Sequence, residues 1–215
     1  GLNLEEIEIA SGQAAFEPTL DYVVCKFARF PFDKFNDVTK TLSTQMKATG
    51  EVMSLGRTFE EAFLKGIRSL ETKVDYLYMA KFDKVETEEL LKQIVVPTDE
   101  RIFMISELLR RGITIEEIND LTKIDLFFLS RINNIIRFEE IFKQDPSFEN
   151  FVKAKKIGFS DQFLAKVMGM TELEVYKYRK EHNIYPVYKM IDTCAAELKT
   201  YTPYFYSTYD KENES

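Results

Sequence analysis

Hydrophobic positions along this chain change their period once, near Thr72. Before that point the pattern includes short strands. From Leu20 to Phe30, β-branched and aromatic residues fill DYVVCKFARF until Pro31, which predicts a strand ended by a turn. Gly50 to Leu55, GEVMSL, predicts a second strand closed by Gly56. Arg57 and Thr58 then open a helix with Thr58 as N-cap and Glu61 three residues on, the spacing of a capping box. Phe59, Ala62, Phe63, Ile67 and Leu70 follow at helical spacing. Two strands and a helix are a fragment of an α/β element, because two strands alone do not hold as a sheet.

Beyond Thr72 helical periodicity takes over. A helix is predicted over Lys84–Val95 with Thr87 as N-cap, and another from Thr98 through Arg101, Ile105 and Leu109, ended by Gly112 in a left-handed cap. An internal repeat follows. GITIEEINDLTKIDLFFLSRI from Gly112 aligns with GFSDQFLAKVMGMTELEVYKY from Gly158, 46 positions later. Gly112 matches Gly158, Thr114 matches Ser160, Ile118 matches Leu164, and Leu129 matches Val175. Each copy runs glycine, N-cap, short helix, turn, N-cap (Asp125 or Thr171), second helix, which predicts two similar helical hairpins packed on each other. At the other extreme of the chain, LNLEEIEIA also reads as helix, so the natural chain is expected to continue upstream of Gly1.

Composition narrows the function classes. Hydrophobic content of 45% and aromatic content of 13% describe a folded protein with a sizeable core. A net charge of −7 argues against a general nucleic-acid partner. No apolar run is long enough to span a bilayer and no secretory leader is recognisable, so neither a membrane nor export is predicted. Cys25 and Cys194 stand far apart among apolar or small residues and are expected to be reduced and packed in a cytoplasmic chain. With one histidine and two cysteines no zinc set can be assembled.

Candidate chemistry is sparse. The eight glycines are scattered, and no glycine-rich phosphate loop occurs. His182, the sole histidine, sits in KEHNIY at a helix end, where it reads as a polar C-terminus. Glu116 with Glu117, and Glu139 with Glu140, are neighbours projecting about 100° apart, so both pairs read as solvated faces. The second hairpin has the outline of a helix-turn-helix DNA reader. Its basic surplus (Lys155, Lys156, Lys166, Lys177, Arg179, Lys180) is nevertheless small, and Glu172 and Glu174 stand where phosphate would lie. No catalytic, cofactor-binding or metal-ligating residue is predicted. Glu51 is the conspicuous charge, placed between Gly50 and an apolar strand, where it needs a partner or water.

Two segments carry a resemblance. FEPTLDYVVCKFARFPFDKF…LSTQMKATGEVMSLGRT from Phe16, and YPVYKMIDTCAAELKTYTPYFYSTY from Tyr185, resemble the large subunit of carbamoyl phosphate synthetase, at the end of its first ATP-grasp half and on the approach to its second. Ala28 departs from the pattern, standing where a proline is expected. The resemblance implies a mainly α fold: a helical oligomerization or connection domain at 73–200. It would carry a small α/β remnant of an ATP-grasp domain at 1–72 and a linker at 201–215 toward the second half. It implies that the parent makes carbamoyl phosphate from bicarbonate, glutamine-derived ammonia and two ATP, with Mg or Mn, for arginine and pyrimidine synthesis. The nucleotide and metal sites would lie outside this stretch, leaving it structural and inactive alone. Glu51, Met46 and Lys47 would lie near the interior carbamate passage. Implied partners are the rest of the large subunit, the glutaminase small subunit and further copies of the chain. The rival readings are a helix-turn-helix regulator or interaction module and a self-sufficient small enzyme.

The pattern of one helix bears on association. Leu129, Ile132 and Ile136 share a core stripe in Leu126–Ile136, and Phe127 and Phe128 cannot both point inward with them. An exposed or partner-covered ring is therefore expected there, and Phe127 and Phe128 are the predicted oligomer interface.

Overall fold

The computed structural model describes residues 1–9, 12–13, 20–32, 34, 38–192 and 203–215. Cys194 and the rest of IDTCAAELK beyond Asp192 lie outside the described residues, as does Phe16–Pro18. The fold is mainly α with small strand pairs. Leu4–Glu6 forms only a single 3-10 turn, and the sequence then pairs as β1 (Glu8–Ile9) with β2 (Gly12–Gln13). The helix expected in LNLEEIEIA is thus absent, as Glu8 and Ile9 pair in an antiparallel ladder instead of continuing the turn.

The strands β3 (Val23–Arg29) and β4 (Gly50–Gly56) pair antiparallel, with Val23 opposite Gly56 and Arg29 opposite Gly50. Their inner face is closed by α1 (Phe59–Ser69), whose Thr58 cap accepts from Glu61 N as expected. The capping box is not completed, because the Glu61 carboxylate takes the amide of Arg57 rather than that of Thr58. Ala62, Phe63, Leu64 and Ile67 of α1 are buried, and Phe63 meets Phe27 of β3 edge-on at 5.1 Å. Each such ring or leucine contributes about 1.5–3 kcal/mol on burial. The α/β remnant is therefore bolted to the helical body through α1, which also packs on α5 and α6.

The helical body comprises α2 (Thr87–Gln93), α3 (Arg101–Arg110), α4 (Ile115–Thr122), α5 (Leu126–Gln144), α6 (Phe148–Ile157), α7 (Asp161–Met168) and α8 (Glu172–Glu181). Two caps differ from expectation. Glu86 rather than Thr87 precedes α2, and Glu100 rather than Thr98 precedes α3 because a turn from Thr98 O to Arg101 N comes first. The repeat is structural and longer than its sequence trace. Thr114, Asp125, Ser160 and Thr171 all cap as predicted. Gly112 (φ 85°) and Gly158 (φ 106°) end α3 and α6 in the left-handed region. Phe159 N bonds Ala154 O as Ile113 N bonds Leu108 O, a Schellman closure in each copy. Even the caps of the short helices match, since Lys123 and Gly169 are both left-handed, although the residues differ. The unit repeated is three helices, α3–α4–α5 and α6–α7–α8. Between the units the core is nearly dry, with Leu108, Ile118, Leu129, Ile135, Phe142, Phe151, Phe159 and Leu164 almost fully buried.

The chain ends on a third pair, β5 (Val187–Met190) with β6 (Phe205–Thr208), in which Tyr188 faces Ser207. Tyr206 and Thr208 are buried, and β6 lies beside β4.

Candidate functional site

Glu51 lies on the outer face of β4, opposite Ala28, and pairs with Lys26 at 3.0 Å. Their side chains are 62% and 59% exposed, so both water and a partner satisfy the charge. A pair so exposed contributes at most about 1 kcal/mol. On the loop before β4, Lys47 donates to the carbonyls of Thr39 (2.8 Å) and Thr41 (2.6 Å), which folds that loop back on itself. Met46 is 93% exposed. The three residues thus share one loop and strand, with Lys47 turned to the loop carbonyls and Glu51 to Lys26.

One strand away, a cavity of about 730 Å³ runs under β3 between the end of α1 and the start of α3. Phe27, Phe63 and the stacked rings of Phe30 and Phe32 (5.5 Å apart) wall it, with Arg29, Lys40, Arg101 and Asp99 as polar groups. Burial pushes the Asp99 carboxyl above the usual range. Lys26, Lys73, Glu71 and Glu100 also border it, so charges of both signs line the cavity.

A separate feature is apolar. Phe127 and Phe128, on the first turn of α5, are 50% and 46% exposed and both lean on Phe59 of α1, with ring centres 6.3 and 5.9 Å away. Arg131 stacks over Phe127 at 5.1 Å. Leu129, Ile132, Ile135 and Ile136 take the inner face of the helix.

Three ionic clusters escaped sequence reasoning. Glu139 is not on a solvated face: it is 3% exposed and accepts from Tyr76 (2.5 Å), Arg110 (3.0 Å) and Lys143 (2.6 Å). Only Glu140 points outward. Burial and the neighbouring Glu139 carboxylate push the Tyr76 phenol well above its ordinary range, which keeps it a donor. Lys155 and Arg179 are likewise buried rather than solvated, converging on Asp161 at 2.7 Å each. Glu61, 1% exposed, holds Lys65 at 2.8 Å and the hydroxyl of Thr208 at 3.0 Å. A polar cleft of about 910 Å³ opens beside the last two clusters; of its lining charges Lys65 pairs with Glu61, Lys155 with Asp161, and Asp75 with Lys166 at its edge. The only sequence signal for these residues is position, since Glu61 and Asp161 occupy first turns after a cap, where either a dipole or a partner would hold a carboxylate. Among the described residues no group of histidine, cysteine and carboxylate side chains could hold a metal, and no helix is long and apolar enough to cross a membrane.

The family model for the carbamoyl-phosphate synthetase large chain, oligomerisation domain, matches residues 51–183, well over half of the chain. The chain belongs to this family. Its matched stretch runs from Glu51 through α1 to the end of α8, and so contains the aromatic patch on α5 and both halves of the helical repeat. Carbamoyl-phosphate synthetase is a ligase, and an oligomerisation domain in it points to self-association of the large chain.

Proposed function

We propose that this chain is the central joint of the large subunit of a glutamine-hydrolysing carbamoyl phosphate synthetase: it joins the two synthetase halves and carries a surface for self-association. The parent makes carbamoyl phosphate in the cytoplasm from bicarbonate, glutamine-derived ammonia and two ATP with Mg or Mn, for arginine and pyrimidine synthesis, together with a glutaminase small subunit. Residues 1–72 are the end of the first ATP-grasp domain, 73–200 the helical domain and 201–215 the way toward the second half. The observation that carries the reading is the family match over Glu51–Asn183. The manner in which α1 ties a strand pair to a helical body supports the same reading. Phe127 and Phe128 supply the contact, because half-exposed rings backed by a third ring are a preformed apolar surface.

Within the parent, Glu51, Met46 and Lys47 border the carbamate passage; Lys26, the partner of Glu51, lines the cavity under β3, which supports that role. The test is kinetic. In the intact large subunit Glu51→Gln should slow overall synthesis more than it slows either half-reaction, because a passage residue acts on transfer between sites. Equal losses in all three rates would remove Glu51 from the passage and leave it a surface partner of Lys26.

A further inference from the structure

The Glu61 carboxylate lies where three parts of the fold meet, and nothing in the family assignment calls for a buried charge there. It accepts from the backbone N–H of Arg57 at 2.8 Å, just past the end of β4. It accepts from Thr208 of β6 at 3.0 Å. Its own backbone rests against Gly158, so closely that a Cβ at Gly158 would lie 2.9 Å from Glu61 Cα. Lys65, paired with Glu61, also donates to Leu55 O at 2.8 Å in β4 and to Ser207 O in β6. Arg68, farther along α1, donates to Gly158 O at 2.8 Å. On the far side of the junction Tyr209 lays its ring over Lys155 (4.9 Å) and Arg179 (5.9 Å), the cations that clasp Asp161 at the start of α7. The far end of the tail is tied separately: Glu214 pairs with Lys189 at 2.9 Å, accepts from Met190 N and donates its own N–H to Tyr188 O.

We infer that β6 is a strap that interlocks the strand pair with the helical repeat through Glu61, so that loosening the strap is felt at Arg57 and at Gly158 together. The physical reason is that a buried carboxylate cannot lose a donor without cost. Withdrawing Thr208 leaves a lone pair of the buried Glu61 carboxylate unmatched, and the remaining donors must shift to compensate. Because Glu61 backs onto Gly158, that shift passes to the second repeat. The inference rests on contacts within this chain alone, and its failure would leave the family assignment and the proposed role of the parent untouched.

Hydrogen exchange resolved by peptide, on the whole 215-residue chain, tests it. Thr208→Val, close in shape to the native side chain, removes only the hydroxyl donor. It should raise exchange about tenfold, not only in 205–208 but also in 57–61 and 158–161, the loss expected for a hydrogen bond to a charged group. Thr208→Ser should restore protection in all three. Glu214→Gln, which frees the tail without touching Glu61, should loosen 210–215 and leave 158–161 as in wild type. The strap idea is overturned if Thr208→Val acts on 205–208 alone. It is also overturned if Glu214→Gln opens 158–161 equally, or if Thr208→Val raises exchange uniformly through α5, since either would be general weakening and not coupling.

Discussion

Replacing Glu139 by glutamine keeps the shape of the side chain and removes one charge from a cluster that water scarcely reaches. Glu139 is 3% exposed, and the side chain of Arg110 is 12% exposed. Every neighbour facing the carboxylate is a donor: Arg110 Nε at 3.0 Å, Lys143 Nζ at 2.6 Å and the Tyr76 hydroxyl at 2.5 Å. A glutamine amide must point its own NH2 at one of these donors, so a hydrogen bond is lost and Arg110 is left with only Glu107, 3.6 Å away and already held by Arg111 at 2.8 Å. Breaking a buried pair from one side costs about 3–5 kcal/mol. Glu51→Gln on the outer face of β4 removes a pair exposed to water on both sides and should cost less than about 1 kcal/mol. Urea titration of the helical circular dichroism signal, near neutral pH, separates the two. Acid provides a second arm. Burial alone would raise the Glu139 carboxyl, but Arg110, Lys143 and Tyr76 outweigh it and hold it below its ordinary value. A depressed carboxylate stabilises the fold above its unfolded pKa, and that contribution is lost as the pH falls through the folded one. The gap between wild type and Glu139→Gln should therefore narrow in acid. If Glu139→Gln shifts the midpoint no more than Glu51→Gln does, the cluster is not what holds α3 to α5 and the reasoning fails.

Burial brings the Lys155 ammonium down from 10.5 to about 8, against the pull of Asp161 and with Arg179 and Arg68 adding to the fall. Between those two values the unfolded chain holds a proton the folded chain has lost, so stability from this group should rise with pH across that window, by up to about 3 kcal/mol. A wild-type curve parallel to that of Lys155→Met from about pH 8 to 10.5 would contradict it. Gly158→Ala should destabilise more than Gly169→Ala: both positions have positive φ, but only at 158 does a Cβ meet backbone, 2.9 Å from Glu61 Cα. The second costs about 1–2 kcal/mol for conformation alone, and thermal melts giving equal losses would refute the close approach.

The local syntax of this chain was legible. Thr58, Thr114, Asp125, Ser160 and Thr171 cap where their side chains predict, and the 46-residue repeat survives down to its Schellman closures. These features depend on neighbours within a few residues. The misreadings depend on distant ones. Glu139 finds Arg110 29 positions away and Tyr76 63 away, and Glu61 finds Thr208 147 away, so no window along the sequence could tell these carboxylates from solvated ones. LNLEEIEIA failed for a related reason, since an acidic amphipathic stretch serves equally as a helix face or as half of a short ladder until its partner is known. For the candidate site, sequence supplied the residues but not their company. Lys26 beside Glu51 and Phe59 beneath Phe127 and Phe128 come from cross-strand and interhelical packing.

Self-association is the property on which the account turns, and sedimentation velocity across micromolar concentrations measures it directly. Wild-type chain should sediment faster as concentration rises, and Phe127→Ser or Phe128→Ser should hold it as a monomer while leaving the melt nearly unchanged, because both rings are already half exposed. A wild-type chain that stays monomeric throughout, or one that associates identically with both rings removed, would contradict the assignment of this face as the oligomerisation surface.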